Sequence, residues 1–286
     1  MFRLAQALCL VVLLTVSGAA WSATGVAFVH GTGKATDALN DYWTADMVNS
    51  VRSGLPNQSN YVVINCDFEQ YMWDSRASGC LATQLHNFIT SRGITDLVVL
   101  THSNGGNVMR WILSNPTWDS RYPTIIQATR WVNALAPSSL GTPLADAVMA
   151  GNVFEASLGW LLGYQNDAVR MQQTSWMAYY NATWLLGTAG RPSLPTGFWN
   201  VVGSDVPAAI WNGAAYCGGY QYQVGLAITK LWLNSCSDGF LECTSQRGAG
   251  SLWFIDEQRT RRGRNLSHHQ SRRDCHDLDV ILRNDL

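Results

Sequence analysis

The sequence predicts an α/β fold, a doubly wound and mainly parallel sheet with a helical cap insertion. Short apolar runs rich in β-branched and aromatic residues alternate with stretches whose apolar residues recur at helical spacing, which is typical of parallel sheets covered by helices. The chain has 286 residues, which fits one large domain with an insertion. With 47% hydrophobic and 14% charged residues, the composition excludes a disordered chain.

Five strands and two helices are predicted from these patterns. The strands are residues 26–29, 61–64, 96–100, 131–135 and 198–202. One helix covers residues 78–91 and is stopped by Gly93. The second follows the third strand and ends before Pro116, because the residue preceding a proline disfavours helical geometry.

Residues 1–22 predict a signal peptide, which leaves residues 23–286 as the mature domain. Arg3 precedes an apolar run from Leu8 to Val16, and small residues follow that run. The run is shorter than the roughly 18 residues that a membrane span needs. We therefore expect a secreted or periplasmic protein without a stable membrane span.

The cysteine content predicts disulfides. One of the seven cysteines, Cys9, lies in the leader, and the remaining even number suits an oxidising compartment. These six are Cys66, Cys80, Cys217, Cys236, Cys243 and Cys275. Their pairing is left open, although Cys66 with Cys80 would close a short loop. A zinc site is the less favoured alternative, because no C-x-x-C pair is present.

Charge gives little indication of a macromolecular partner. The net charge of −1 provides no global attraction to nucleic acid, so none is expected as a partner. Six arginines cluster near the C-terminus, namely Arg259, Arg261, Arg262, Arg264, Arg272 and Arg273. We interpret them as a solvated loop, with contact to an anionic surface or substrate as the alternative.

A strand that runs directly into a serine turn is the main chemical signal. The apolar residues 97–100 are followed by Ser103, and a helix begins at once. This is the context of a strained nucleophile elbow, which needs small residues two positions before and after the serine. Thr101, standing where glycine is usual, and Gly105 meet that need. The alternative is an ordinary turn serine.

Two backbone N–H groups are candidates for an oxyanion hole. Asn104 lies at the start of the helix that follows Ser103, and its N–H can supply one donor. Thr32 follows the first strand in the segment His30-Gly31-Thr32 and can supply the other. A plain glycine turn is the alternative for this segment.

Taken together, five segments resemble the α/β-hydrolase superfamily, especially its secreted bacterial lipases and esterases. They are residues 29–32, 101–106, 141–146, 237–240 and 276–280. The resemblance implies cleavage of carboxylic esters by a Ser-His-Asp triad through an acyl-enzyme. It also implies an ester or lipid substrate and no cofactor. Some members of the superfamily bind a structural calcium near the histidine loop, where Asp277 and Asp279 could contribute. We interpret these two carboxylates as solvated, so no metal is expected.

The resemblance places the acid at Asp238 and the base at His276. Asp205 is the alternative acid, because it directly follows a predicted strand. His269 and then His268 are the alternative bases, since the interval between Asp238 and His276 is longer than the resemblance implies.

A cap insertion is predicted at about residues 144–197. One helical face there carries Phe154, Leu158, Leu161 and Leu162, and another carries Trp176, Tyr180 and Trp184. Ordinary helices packed on the sheet are the alternative to a mobile lid.

Two functional alternatives stay open. One is a polyester (polyhydroxyalkanoate) depolymerase or phospholipase with the same triad, and the other is a non-catalytic surface-binding protein on the same fold.

Overall fold

A six-stranded sheet forms the centre of the molecule. The computed structural model describes residues 23–151, 165–207 and 216–286. The strands are β1 (Ala23–Val29), β2 (Tyr61–Val63), β3 (Ile94–His102), β4 (Thr129–Leu135), β5 (Gly197–Val202) and β6 (Ser251–Ile255). They are ordered β2-β1-β3-β4-β5-β6, and every neighbouring pair is parallel. The predicted parallel sheet is confirmed, with β6 as an unpredicted sixth strand.

Helices of the described chain lie between these strands and after the last of them. Before β4 they are α1 (Ala38–Asp41), α2 (Ala45–Arg52), α3 (Cys80–Arg92), α4 (Gly105–Ser114) and α5 (Tyr122–Ala128). After β4 they are α6 (Pro143–Met149), α7 (Asp167–Met171), α8 (Thr174–Thr183), α9 (Tyr220–Lys230), α10 (Cys243–Gln246) and α11 (Leu278–Arg283). A π turn, Ser75–Gly79, leads into α3, and α3 ends at the left-handed Gly93 as predicted. Single 3₁₀ turns occupy much of the stretch between β6 and α11.

The sheet is covered on both faces, as a doubly wound fold requires. Successive residues of a strand point to opposite faces. Ala27 of β1 belongs to the core beneath α3 and α4. Its neighbour Val26 belongs to a second core, which α2 and α11 cover. Both residues are fully buried, so burial of alternating apolar side chains stabilises the two layers.

The strand order places a crevice at the carboxyl ends of β1 and β3. The chain moves from β1 outward to β2 and then returns to β3 on the other side of β1. In open parallel sheets, such a reversal of direction leaves a crevice outside the strand ends, where ligands bind. Val29, near the end of β1, is in register with Thr101 of β3, so the segments that follow these strands meet there.

Three disulfides confirm the prediction from the even number of cysteines. Cys66 pairs with Cys80, as the short loop between them suggested. The other two pairs are Cys217–Cys275 and Cys236–Cys243. The last pair closes a small loop around Asp238.

The predicted cap lies partly inside the described chain. Residues 1–22 and the apolar face of Phe154, Leu158, Leu161 and Leu162 lie outside the described residues. On α8, Met177 and Tyr180 are buried in the main core, whereas Trp176 is 46% exposed. Part of the segment therefore packs as ordinary helices, and a mobile lid stays a prediction. Within the described ranges, no helix has the length and apolarity needed to cross a membrane.

Candidate active site

Ser103 lies in a strained turn between β3 and α4. Its φ is 53°, a left-handed conformation that side-chain-bearing residues rarely adopt. The turn is held by backbone hydrogen bonds: the Ser103 N–H donates to the Leu135 carbonyl at 3.0 Å, and the Ser103 carbonyl accepts from Gly106 at 3.1 Å. Strain of this kind persists where the surrounding structure enforces it. The sequence therefore forms an elbow that presents Ser103 at the carboxyl edge of the sheet.

Two glycines allow the backbone to approach this elbow. A Cβ atom on Gly105 would lie 2.1 Å from the carbonyl oxygen of His30. A Cβ atom on Gly31 would lie 2.3 Å from the Tyr42 hydroxyl and 2.9 Å from the Cβ of Ser103. Both positions therefore require glycine, because a side chain would push the segment after β1 away from the serine.

Asp238 lies fully buried in the loop closed by Cys236–Cys243. One carboxylate oxygen, Oδ1, accepts hydrogen bonds from the N–H groups of Phe240 at 2.9 Å and Leu241 at 2.7 Å. The other oxygen, Oδ2, is 2.7 Å from Nδ1 of His268. A buried carboxylate needs such partners, since leaving it unpaired would be costly. The arrangement fixes Asp238 in one orientation and directs Oδ2 at a histidine.

His268 is held against Asp238 by its backbone as well as by its ring. The His268 N–H donates to the Asp238 carbonyl at 2.8 Å. The His268 ring stacks on Phe240, with centroids 4.7 Å apart. Its side chain is 12% exposed, and it lines the same pocket as Ser103. Because Nδ1 faces the carboxylate, Nε2 is the ring nitrogen left for Ser103.

His276, the base chosen from the sequence, is not among the described residues that line this pocket. His276 lies in the 3₁₀ turn Cys275–Asp277, directly before α11. That helix packs against α2 on the far side of the second core. Burial, and secondarily the charge of Arg264, lower the pKa of the His276 ring. The histidine that contacts Asp238 is His268, the third candidate base of the sequence analysis.

The alternative acid and the remaining alternative base have other partners. Asp205 pairs with Lys230, and its side chain is 45% exposed. His269 stacks on Tyr222, with ring centroids 3.8 Å apart. Burial and the guanidinium groups of Arg272 and Arg273 lower the pKa of His269 to about 2, so its ring stays neutral.

His102 connects Tyr42 to the candidate base. The His102 Nε2 is 2.9 Å from the carbonyl oxygen of His268 and must donate to it, since a carbonyl only accepts. Burial, and secondarily the neighbouring His268, Arg272 and His269, lower the pKa of His102 well below its ordinary value, so Nδ1 carries no proton. The Tyr42 hydroxyl therefore donates to Nδ1 at 2.5 Å. This chain ties the residue before Ser103 to the backbone of His268, a role that only the tertiary contacts reveal.

The predicted oxyanion donors are Asn104 and Thr32. Asn104 directly follows Ser103 and is fully buried, and Thr32 lines the same pocket as that serine. Within the described residues, neither backbone N–H donates to a protein acceptor. The Thr32 hydroxyl accepts a hydrogen bond from Gln172 at 3.0 Å, which fixes this segment at the pocket. The lack of a protein acceptor for either N–H group agrees with the predicted oxyanion role, which stays a prediction.

His30 stabilises the segment that follows β1 and contains Thr32. Burial lowers the pKa of His30 to about 4, so its ring is neutral at ordinary pH. One ring nitrogen is 2.8 Å from the Gly31 carbonyl, and the other accepts from the Cys66 N–H at 3.3 Å. The ring also stacks on Phe68 at 4.3 Å. These contacts keep the segment after β1 in place before any substrate binds.

The pocket that these groups share has a volume of about 210 Å³. Its described lining is Thr32, Tyr42, His102, Ser103, Tyr222, Leu226, Phe240, His268, His269 and Arg272. The candidate nucleophile and the candidate base thus lie beside apolar and aromatic walls, as in many small-molecule sites.

Structural comparison assigns the fold class. No protein-family model and no curated protein sequence matches this chain. The mature form of the Bacillus licheniformis lipase BlEst2 superposes with a TM-score of 0.67 at 18% identity, over 90% of this chain and 90% of the lipase. The propeptide form of that lipase gives 0.61 at 19% identity, over 90% of this chain and 49% of its own. The chain has the α/β-hydrolase fold.

Proposed function

We propose that this protein is an exported serine hydrolase of the lipase/esterase type. It cleaves carboxylic esters through Ser103, His268 and Asp238. The observation that carries this proposal is the 2.7 Å contact between His268 Nδ1 and Asp238 Oδ2, in a histidine that lines the same pocket as the strained Ser103. A nucleophile, a base and a group that orients the base are the parts that acyl transfer requires.

The first half of the reaction forms an acyl-enzyme. His268 Nε2 takes the proton from the Ser103 hydroxyl as the serine oxygen attacks the ester carbonyl carbon. The carbonyl π electrons move to its oxygen, and the N–H groups of Thr32 and Asn104 stabilise this oxyanion. The intermediate collapses with cleavage of the carbon–alkoxy bond, and His268 returns its proton to the departing alkoxide.

The second half of the reaction uses the same groups. A water molecule gives its proton to His268 and attacks the acyl carbon of the serine ester. The same two N–H groups stabilise the second oxyanion. Collapse releases the carboxylic acid and restores the Ser103 hydroxyl with the proton held by His268.

Asp238 orients the base and stabilises its positive charge. Its two backbone hydrogen bonds hold one carboxylate oxygen, so the other stays directed at His268 Nδ1. This contact keeps the Nδ1–H tautomer, which leaves Nε2 unprotonated and ready to accept the serine proton. Because Asp238 is fully buried, solvent screens its attraction to a protonated His268 only weakly.

The disulfides support export. Three cystines join all six cysteines of the described chain, and disulfides persist mainly in oxidising compartments. The predicted signal peptide agrees with this location.

The predicted apolar cap favours a water-insoluble or long acyl substrate.

A series of 4-nitrophenyl esters, from acetate to palmitate, tests the proposed function. We expect the purified protein to release 4-nitrophenol from at least part of the series, because the oxyanion donors act on any carboxylic ester. The rate against acyl length measures the acyl preference.

The control for this series is Ser103→Ala, assayed at the same protein concentration. We expect the variant to fold. Its release of 4-nitrophenol should not exceed the spontaneous hydrolysis measured without protein. Release that is equal in the two proteins, or absent from the wild type with every ester, would contradict the proposed function.

A further inference from the structure

Arg272 is a buried cation at the wall of the Ser103 pocket. Its residue exposure is 9%, and it lines the pocket together with Ser103 and His268. Among the described residues that line this pocket, Arg272 is the only permanently charged side chain. Burying a charge is unfavourable unless an opposite charge accompanies it, so the surroundings of this guanidinium indicate whether it is already paired.

The contacts of Arg272 within the described chain are with neutral groups. Its guanidinium lies over the Tyr42 ring, 4.1 Å from the centroid. It donates to the Tyr42 carbonyl and, at 2.9 Å, to Nδ1 of His269. None of the ion pairs in the described residues includes Arg272. Burial lowers its pKa to about 10, which still leaves it charged at neutral pH.

A second guanidinium adds to this positive field. Arg273 also donates to the Tyr42 carbonyl, and to the Trp43 carbonyl beside it. The two like charges repel each other, and His269 between them stays neutral. No carboxylate is among the described residues that line the pocket. Asp238 is already engaged by His268, and Asp274 acts on Arg273. An anion that enters the pocket would therefore meet an uncompensated positive charge.

We propose that Arg272 recognises a negatively charged group, a carboxylate or a phosphate, on the ester held at Ser103. This inference rests on the proposed function and defines the substrate class as anionic esters. A planar guanidinium binds either group through two parallel N–H donors. Low exposure strengthens the interaction, because water competes weakly for the same donors. Arg272 is thus a specificity residue, and it takes no part in proton transfer.

Matched ester pairs test this role and separate the two sources of charge. For charge on the acyl side, 4-nitrophenyl hemiglutarate is compared with the neutral 4-nitrophenyl pentanoate. For charge on the alcohol side, 1-butanoyl-glycerol 3-phosphate is compared with 1-butanoyl-glycerol. In wild type we expect the anionic member of at least one pair to have the higher kcat/KM.

Arg272→Gln is the decisive variant. We expect it to lower the anionic-to-neutral ratio of kcat/KM by about 10- to 100-fold in the pair that wild type discriminates. This is the size of effect expected because a hydrogen bond to a charged group is lost. Arg272→Lys, which keeps the charge, restores part of the ratio. The exposed Arg261→Gln serves as a matched control in the same arginine cluster and keeps the wild-type ratio. An anionic-to-neutral ratio of kcat/KM that is the same in wild type and Arg272→Gln, for both ester pairs, would overturn the proposal. A parallel fall of kcat/KM for the anionic and the neutral ester would show only a loss of packing on Tyr42.

A binding measurement keeps this inference separate from the proposed function. If wild type hydrolyses no ester, the proposed function fails. The affinity of Ser103→Ala for 4-nitrophenyl hemiglutarate and for 1-butanoyl-glycerol 3-phosphate, measured calorimetrically, then decides on Arg272. At least one anionic ester should bind more tightly than its neutral partner, and addition of Arg272→Gln should remove the difference. An unchanged difference, or none at all, would overturn the role of Arg272.

Discussion

Replacing His268 with alanine is expected to lower kcat for ester hydrolysis by roughly 10⁶-fold, the scale seen when a cooperating triad loses its base. Two other histidines line the described pocket, and both are engaged: the neutral His102 uses both ring nitrogens, and His269 accepts from Arg272. Neither is therefore placed to accept the Ser103 proton once the His268 imidazole is removed. We expect kcat to fall much more than KM changes, because His268 transfers the proton in the transition state and does not bind the substrate. Steady-state kinetics on a 4-nitrophenyl ester, with circular dichroism to establish folding, measure this effect.

His276→Ala is the matched control for that experiment. His276 lies in the turn before α11 and lines no part of the Ser103 pocket. We expect its kcat to stay within a few-fold of wild type, with a modest change in stability. An active His268→Ala protein beside an inactive but folded His276→Ala protein would show that the base was assigned wrongly.

Asp238→Asn is expected to lower kcat by about 10⁴-fold, with KM little affected. The amide can still accept the N–H groups of Phe240 and Leu241 through its oxygen, so the loop geometry should persist. Its NH₂ group would then face His268 Nδ1 and donate to it. That contact selects the Nε2–H tautomer, which cannot take the proton from Ser103.

Asp205→Asn provides the comparison for the acid. Its partner Lys230 forms a partly exposed pair with it, and such pairs typically contribute about 1 kcal/mol or less. We therefore expect near wild-type kcat and a small shift of the denaturation midpoint. Loss of turnover in folded Asp205→Asn, with turnover retained in Asp238→Asn, would exclude Asp238 as the acid.

Much of the sheet could be predicted because its strands are buried on both faces. Residues 26–29 and 96–100 are almost uninterrupted apolar runs, and both lie within strands of the structure. β6 was not predicted, although residues 252–255 form an apolar run as long as that of residues 61–64. Ser251 and Leu252, at the start of β6, are exposed.

The candidate nucleophile and acid could be proposed from local sequence. Ser103 follows a buried strand and precedes a helix, and this order along the chain already describes the turn. Asp238 stands in a Ser-Asp-Gly-Phe segment that resembles the acid segment of bacterial lipases. In each case the signal lies within a few neighbouring residues.

The base could not be identified in this way. His268, His269 and His276 all follow Asp238, and the region between β6 and α11 has neither apolar periodicity nor long helices. What separates the three is tertiary: the backbone hydrogen bond from His268 to Asp238 and the stacking on Phe240. Neither contact leaves a pattern in the sequence. Arg272 is similar, since its burial beneath Tyr42 cannot be read from a cluster of arginines.

Covalent labelling by a fluorophosphonate tests the central claim, that Ser103 is an activated nucleophile, most directly. The serine oxygen attacks phosphorus and fluoride leaves, so peptide mass spectrometry locates the modified residue without any knowledge of the natural substrate. We predict a single adduct on Ser103 in wild type, a greatly slowed reaction in His268→Ala, and none in Ser103→Ala. Labelling that persists in folded Ser103→Ala, or that falls on a different serine in wild type, would contradict the assignment.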